Sequence, residues 1–164
     1  MLDYGIGSRN HIAQMVEPDY NVAGNFGGIS ILDSEGRGCN VEIRTMDSLQ
    51  WVDKLDFIKM DVEGMEIDVL TGARKTIAKH RPIIYTENDR KEKSKQLIAR
   101  LTALKYRCYW HLPNLYSDKN FFKSANNLFP NIVSSNMLCI PVEKDINVVD
   151  FQVADDSNYW VIAG

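Results

Sequence analysis

The chain reads as an α/β protein, and three stretches carry that reading. Residues 55–88, LDFIKMDVEGMEIDVLTGARKTIAKHRPIIYTEN, join a short apolar run, an acidic turn, an amphipathic helical pattern and a second apolar run. A further helical pattern from about Lys91 to Lys105 feeds the strand-like YRCYW, and NMLCIPV closes the patterned region at Val142. Strands alternating with helices predict a mostly parallel sheet, covered on both faces and wound by right-handed crossovers.

Taken in order, residues 1–40 are rich in Gly, Asn, Asp and Ser with short apolar islands such as Gly28 to Leu32, a composition of loops and hairpins. From Cys39, CNVEIR alternates Val41 and Ile43 as a strand, and Asp47 or Ser48 is placed to cap a short helical stretch after it. Phe57 to Met60 is the next strand. The helix that follows puts Met65, Val69, Ala73 and Ile77 on one face with Leu70 beside them. It ends in Lys75, Lys79, His80 and Arg81, cations that suit a helix C-terminus, before Pro82 stops it. Ile83 to Thr86 forms a second apolar strand, and Leu97, Ile98, Leu101 and Leu104 give the second helix its stripe. A long Asn-rich loop with scattered aromatics separates Trp110 from the strand at Asn136 to Val142. The tail, residues 143–164, is weakly patterned, although Tyr159, Trp160, Val161 and Ile162 are suited to dock as an edge element. The expected organisation is thus one domain over residues 1–164: an irregular start (1–40), an α/β core (41–142) and a tail.

Composition narrows the function. With 45% hydrophobic and 25% charged residues the chain is expected to fold around a core, and its net charge of −3 gives no general attraction to nucleic acid or anionic lipid. Phosphate binding would need a local patch. No apolar run is long enough to span a membrane, and the first twenty residues lack the apolar centre of a signal peptide, so a cytoplasmic address is expected. Cys39, Cys108 and Cys139 lack metal-ligand spacing and read as buried thiols.

Ligands of open α/β sheets bind beyond the carboxyl ends of the strands. The strand at Phe57 ends in Asp61, Glu63 and Glu66, the strand at Ile83 in Glu87, Asn88 and Asp89, and the strand at Arg107 in His111; all three ends are expected on one sheet edge. Asp61 and Glu63 lead into Gly64, which permits a tight turn, and such carboxylates can act as a base, hold a cation or accept hydrogen bonds from a ligand. Glu66 and Asp68 lie in the first helical turn, where acids serve the helix dipole. Glu87 is either a ligand contact or a loop acid capping the next helix. His111 is the single histidine at a strand end, and an imidazole is suited to take a proton from a hydroxyl near neutral pH. The stretch NFGGISILD, with Asn25 and Gly27-Gly28 before a short strand, is either a tight turn or a substrate or cofactor loop.

The run TMDSLQWVDKLDFIKMDVEGMEIDVLTGARKTI followed by RPIIYTEN resembles the signature half of the FkbM-type methyltransferases, S-adenosylmethionine-dependent enzymes with a seven-stranded Rossmann-like sheet. EPDYNVAGNFGGISI, CYWHLPNLYSDKNF and NMLCIP are similar to further segments, so the resemblance covers about Glu17 to Val142. It implies a partial sheet, with the fourth to seventh strands present and the first three missing. By the same resemblance the family's acidic glycine turn and the acid that holds the cofactor ribose fall in the missing part, so S-adenosylmethionine binding by this chain is expected to be weak or absent. It also implies methyl transfer to a hydroxyl of a sugar, lipid or secondary metabolite. By that resemblance Asp61 and His111 become candidates for base or orienting group, with Glu63 in support and Glu87 and Asn25 as cofactor or substrate contacts. No metal is assigned to the site, and a cation site built from the carboxylates of Asp61, Glu63 and Glu87 stands as a third reading. The competing reading is a non-catalytic subunit whose sheet is completed by a complementing N-terminal chain.

Overall fold

A computed structural model describes residues 3–23, 28–31, 38–49 and 53–161. The chain divides into two compact units, Met1–Pro82 and Ile83–Gly164. Among the described residues no helix is long and apolar enough to cross a membrane.

In the first unit, β1 (Gly5–Ile6) runs parallel to β3 (Cys39–Arg44), and β2 (His11–Met15) pairs antiparallel along the other edge of β3, with His11 opposite Ile43 and Met15 opposite Cys39. The alternation read from the sequence buries Ile43 completely. Within the stretch expected as loops and hairpins, β2 is therefore a five-residue strand. The short strand expected after Gly28 does not form over residues 28–31; there the Ser30 hydroxyl donates instead to the Glu63 carbonyl, 3.0 Å away.

β4 (Phe57–Met60) has the expected bounds, and the helix after it is two helices, α1 (Glu66–Gly72) and α2 (Arg74–His80), parted at Ala73. Their common face holds at Val69, Leu70, Ala73 and Ile77, which are buried, whereas Met65, expected on it, precedes α1 and is half-buried. Gly72, the last residue of α1, has no room for a larger residue, since a Cβ there would stand 2.0 Å from the Gly7 carbonyl oxygen. α2 ends at Arg81 in left-handed backbone (φ 49°), followed by Pro82.

The capping expectation is corrected. The turn Met46–Ser48 is capped by Thr45, whose side chain accepts from the Ser48 N–H. Asp47 reaches the start of α2, where Ala73 has no side-chain acceptor to offer. Its carboxylate accepts from the N–H groups of Lys75 (3.0 Å) and Thr76 (2.8 Å) and from the Thr76 hydroxyl (2.9 Å). Burial works to raise this carboxyl, but those hydrogen bonds and the Lys75 charge outweigh it and hold the group below its ordinary range.

In the second unit, β5 (Ile83–Glu87), β6 (Tyr106–His111) and β7 (Asn136–Pro141) lie in the order β5, β7, β6, with α3 (Lys91–Ala103) packed on β6. β7 is antiparallel to both neighbours, which corrects the mostly parallel expectation. The cause is the connection. A parallel crossover is usually built through a helix, whereas residues 112–135 return without one, so the chain re-enters from the edge it left.

One face of this sheet carries Ile84, Thr86, Cys108, Trp110, Met137 and Cys139, all buried, and α3 contributes Leu97, Ile98 and Leu101 to the buried residues. Cys108 and Cys139 are direct cross-strand partners. Burial first, then the hydrogen bond with Cys108, raises the Cys139 thiol well above its ordinary value. Cys39 is exposed, against the expectation of three buried thiols, because it opens β3 at the end opposite Ile43.

The tail docks earlier than its aromatic cluster suggested. Val153 bridges Tyr109 antiparallel, the Trp110 N–H donates to the Gln152 carbonyl, and the Ala154 N–H donates to Cys108. Residues 152–154 thus occupy the outer edge of β6. The Trp110 indole then donates to the Asn158 carbonyl at 3.0 Å.

Candidate functional site

The antiparallel seating of β7 decides which strand ends meet. Glu87 and His111 are both direct partners of Asn136, so the ends of β5 and β6 flank one residue of β7 on the same edge. Residues opposite one another in a sheet share a face, which puts the side chains of Glu87, Asn136 and His111 together, with Tyr85 two residues back from Glu87. The result is direct contact: Tyr85 Oη and His111 Nδ1 are 2.7 Å apart. Phe151, brought in by the docked tail, stacks on the imidazole with ring centroids 5.0 Å apart and planes 14° from parallel.

An open cleft of about 350 Å³ adjoins the ring, lined by Trp110, His111, Leu112, Pro113, Asp150, Phe151 and Gln152. The imidazole is half-buried, clamped by Phe151 and tied at Nδ1, so Nε2 is the atom left to meet a ligand. When the tyrosine oxygen accepts from Nδ1–H, Nε2 carries the lone pair, which is the arrangement a base requires.

A polar network fixes the edge. The Asn88 amide donates to the Ser94 hydroxyl (2.9 Å), the Ser135 hydroxyl donates to the Asn88 carbonyl (2.8 Å), and the Asn88 N–H donates to the Ser135 carbonyl (2.8 Å). The Ser94 hydroxyl donates in turn to the Tyr159 carbonyl. Asn88, Ser94 and Ser135 are buried, and their bonds join the end of β5, α3, the start of β7 and the tail. Asn136 donates to the Ser134 hydroxyl at 2.7 Å. Sequence reasoning met Asn88 only as part of a strand end and Asn136 only as the start of a strand, and it passed over Ser94 and Ser135. One signal existed: Ser94 precedes Leu97 and Ile98 by three and four residues, so it lies on the apolar stripe of α3, where a hydroxyl needs a partner.

In the first unit, Asp61 follows β4 directly, exposed, with Lys59 Nζ 2.7 Å from its carboxylate. Glu63 and Gly64 form the turn into α1, both at positive φ (49° and 90°), closed by a hydrogen bond from the Met65 N–H to the Val62 carbonyl. Left-handed backbone is natural for Gly64 and costly for Glu63. Glu66 is buried, and its carboxylate accepts from the Gly64 N–H at 3.1 Å, the structural role its place in the first helical turn suggested. Asn25 lies outside the described residues.

The fold and these strand ends define a mixed α/β protein with a histidine-bearing cleft at a carboxyl edge. Residues 8–108 match the family model of the Methyltransferase FkbM domain, and the chain belongs to that family. The match includes Asn25, Asp61, Glu63 and Glu87, while His111 lies just beyond it. No curated protein and no solved structure matches the chain.

Proposed function

We propose that this chain serves S-adenosylmethionine-dependent methyl transfer to a hydroxyl of a sugar, lipid or secondary metabolite, with His111 receiving the hydroxyl proton. Family membership supports the reaction class, and the observation that carries the residue assignment is the Tyr85–His111 contact at the mouth of an open cleft. The cofactor supplies an electrophilic methyl group when bound. Asp61 and Glu63 offer accepting oxygens suited to the amine and hydroxyl groups of such a cofactor, and Asp61 is exposed enough to meet one. Asn25 is a further candidate contact.

His111 has the larger chemical task. An acceptor hydroxyl becomes a competent nucleophile as its proton passes to Nε2, and the resulting imidazolium is stabilised where Tyr85 Oη accepts from Nδ1–H. Tyr85 positions the ring from one side and Phe151 from another, so the acceptor meets a fixed base, and positioning contributes much of such a rate. Glu87, which shares Asn136 as a neighbour with His111, is a further candidate contact for cofactor or acceptor.

The test is acceptor-dependent formation of S-adenosylhomocysteine across a panel of hydroxyl compounds. His111→Ala should lower turnover by about a hundredfold or more. Tyr85→Phe should act mainly on kcat and shift the pH profile. Asp61→Asn should lower turnover too, whereas Glu66→Gln should change stability more than rate. Undiminished turnover in His111→Ala would remove the base, and no turnover with any acceptor would favour a binding role for the chain.

A further inference from the structure

The loop between β6 and β7 exposes more apolar surface than any packing need explains. Phe121 and Phe122 are 91% and 88% exposed, and Leu128, Leu115 and Phe129 on the same loop are exposed by about half or more. Scattered exposed apolar residues are ordinary, whereas two adjacent rings both almost fully exposed and in mutual contact mark an interaction surface.

The two rings are held outward. They occupy the central positions of a turn closed by the Lys123 N–H on the Asn120 carbonyl (2.9 Å), with Lys123 at φ 51°. The Asn120 side chain donates to the carbonyls of Ser117 (2.9 Å) and Ser124 (2.8 Å) and accepts from the Ser124 N–H (3.0 Å). Tyr116 Oη donates to the Ser124 carbonyl at 3.0 Å. A turn braced this way presents both phenylalanines, in edge contact with centroids 5.3 Å apart, without collapsing them onto the body.

We propose that this tip docks on an anionic lipid surface. Lys119 and Lys123 flank the phenylalanines, against Asp118 as the acid of the loop, in a chain whose net charge is −3. The local positive charge would orient the tip toward anionic headgroups while the rest of the chain is repelled. Shape agrees: a convex pair of rings enters the interfacial region of a bilayer without a preformed pocket, and the flanking ammonium groups stay at headgroup level. None of this depends on the proposed chemistry.

Co-sedimentation of the full chain with vesicles tests the proposal, comparing phosphatidylcholine alone with phosphatidylcholine carrying about 30 mol% phosphatidylserine. Binding is expected on the anionic vesicles and should weaken as salt rises from about 0.1 to about 0.5 M. Phe121→Ser with Phe122→Ser should reduce it by at least about tenfold, and Lys119→Gln with Lys123→Gln by roughly as much. All four side chains point away from the core, and unchanged circular dichroism and melting would show that the variants fold. Failure of the wild type to bind anionic vesicles, or equal binding by the Phe variant, overturns the proposal. Self-association in sedimentation velocity that needs the two phenylalanines, without vesicle binding, assigns the tip to a protein contact and overturns it equally.

Discussion

Removing the Asp47 carboxylate should loosen the start of α2 and cost measurable stability. Three hydrogen bonds end on that carboxylate, two of them from the second and third N–H groups of a helix whose own cap residue, Ala73, has no acceptor. Replacing a capping side chain by alanine costs about 0.5–2 kcal/mol, and two backbone donors put Asp47→Ala in the upper half, about 1–2 kcal/mol. For a chain of this size that is a fall in Tm of roughly 3–6 °C. The pH dependence has a definite sign. The folded carboxyl is held below its unfolded value, so its stabilisation is complete above the unfolded pKa and is lost as pH falls through the folded one. Urea titrations of wild type and Asp47→Ala followed by circular dichroism should therefore show the full gap at pH 7 and a narrowing one below about pH 4. Asp47→Asn, which keeps one accepting oxygen, should fall between them. A gap under about 0.3 kcal/mol at neutral pH, or one that widens in acid, would refute the capping argument.

Two other substitution or labelling results follow from packing. Gly72→Ala forces a methyl group into the Gly7 carbonyl, and thermal melts should show a loss of at least about 1–3 kcal/mol, the usual cost of overpacking. Thiol labelling under native conditions should modify Cys39 quickly and leave buried Cys108 and Cys139 untouched until the chain is denatured; rapid labelling of all three would contradict the packing of β6 against β7.

The sequence by itself determined the local elements. Phe57–Met60 was legible as a strand because its apolar residues stop at Asp61, and the buried face of Val69, Leu70, Ala73 and Ile77 followed from helical spacing alone. His111 was legible as a strand end for the same reason. Membership of a methyltransferase family was written in the same stretch of chain. Strand direction was not legible: side chains alternate identically whichever way a strand runs, so nothing in NMLCIP distinguishes a parallel β7 from the antiparallel one. That direction, set by a helix-free return loop, places Asn136 between Glu87 and His111 and sets Cys108 against Cys139. The Tyr85–His111 contact spans 26 residues and the Asp47 cap 28 and 29, and the Phe151 stack needs the tail laid along β6. Local patterning encodes which side chains must leave water, but which buried or edge groups become partners depends on chain segments that only tertiary packing brings within hydrogen-bond reach.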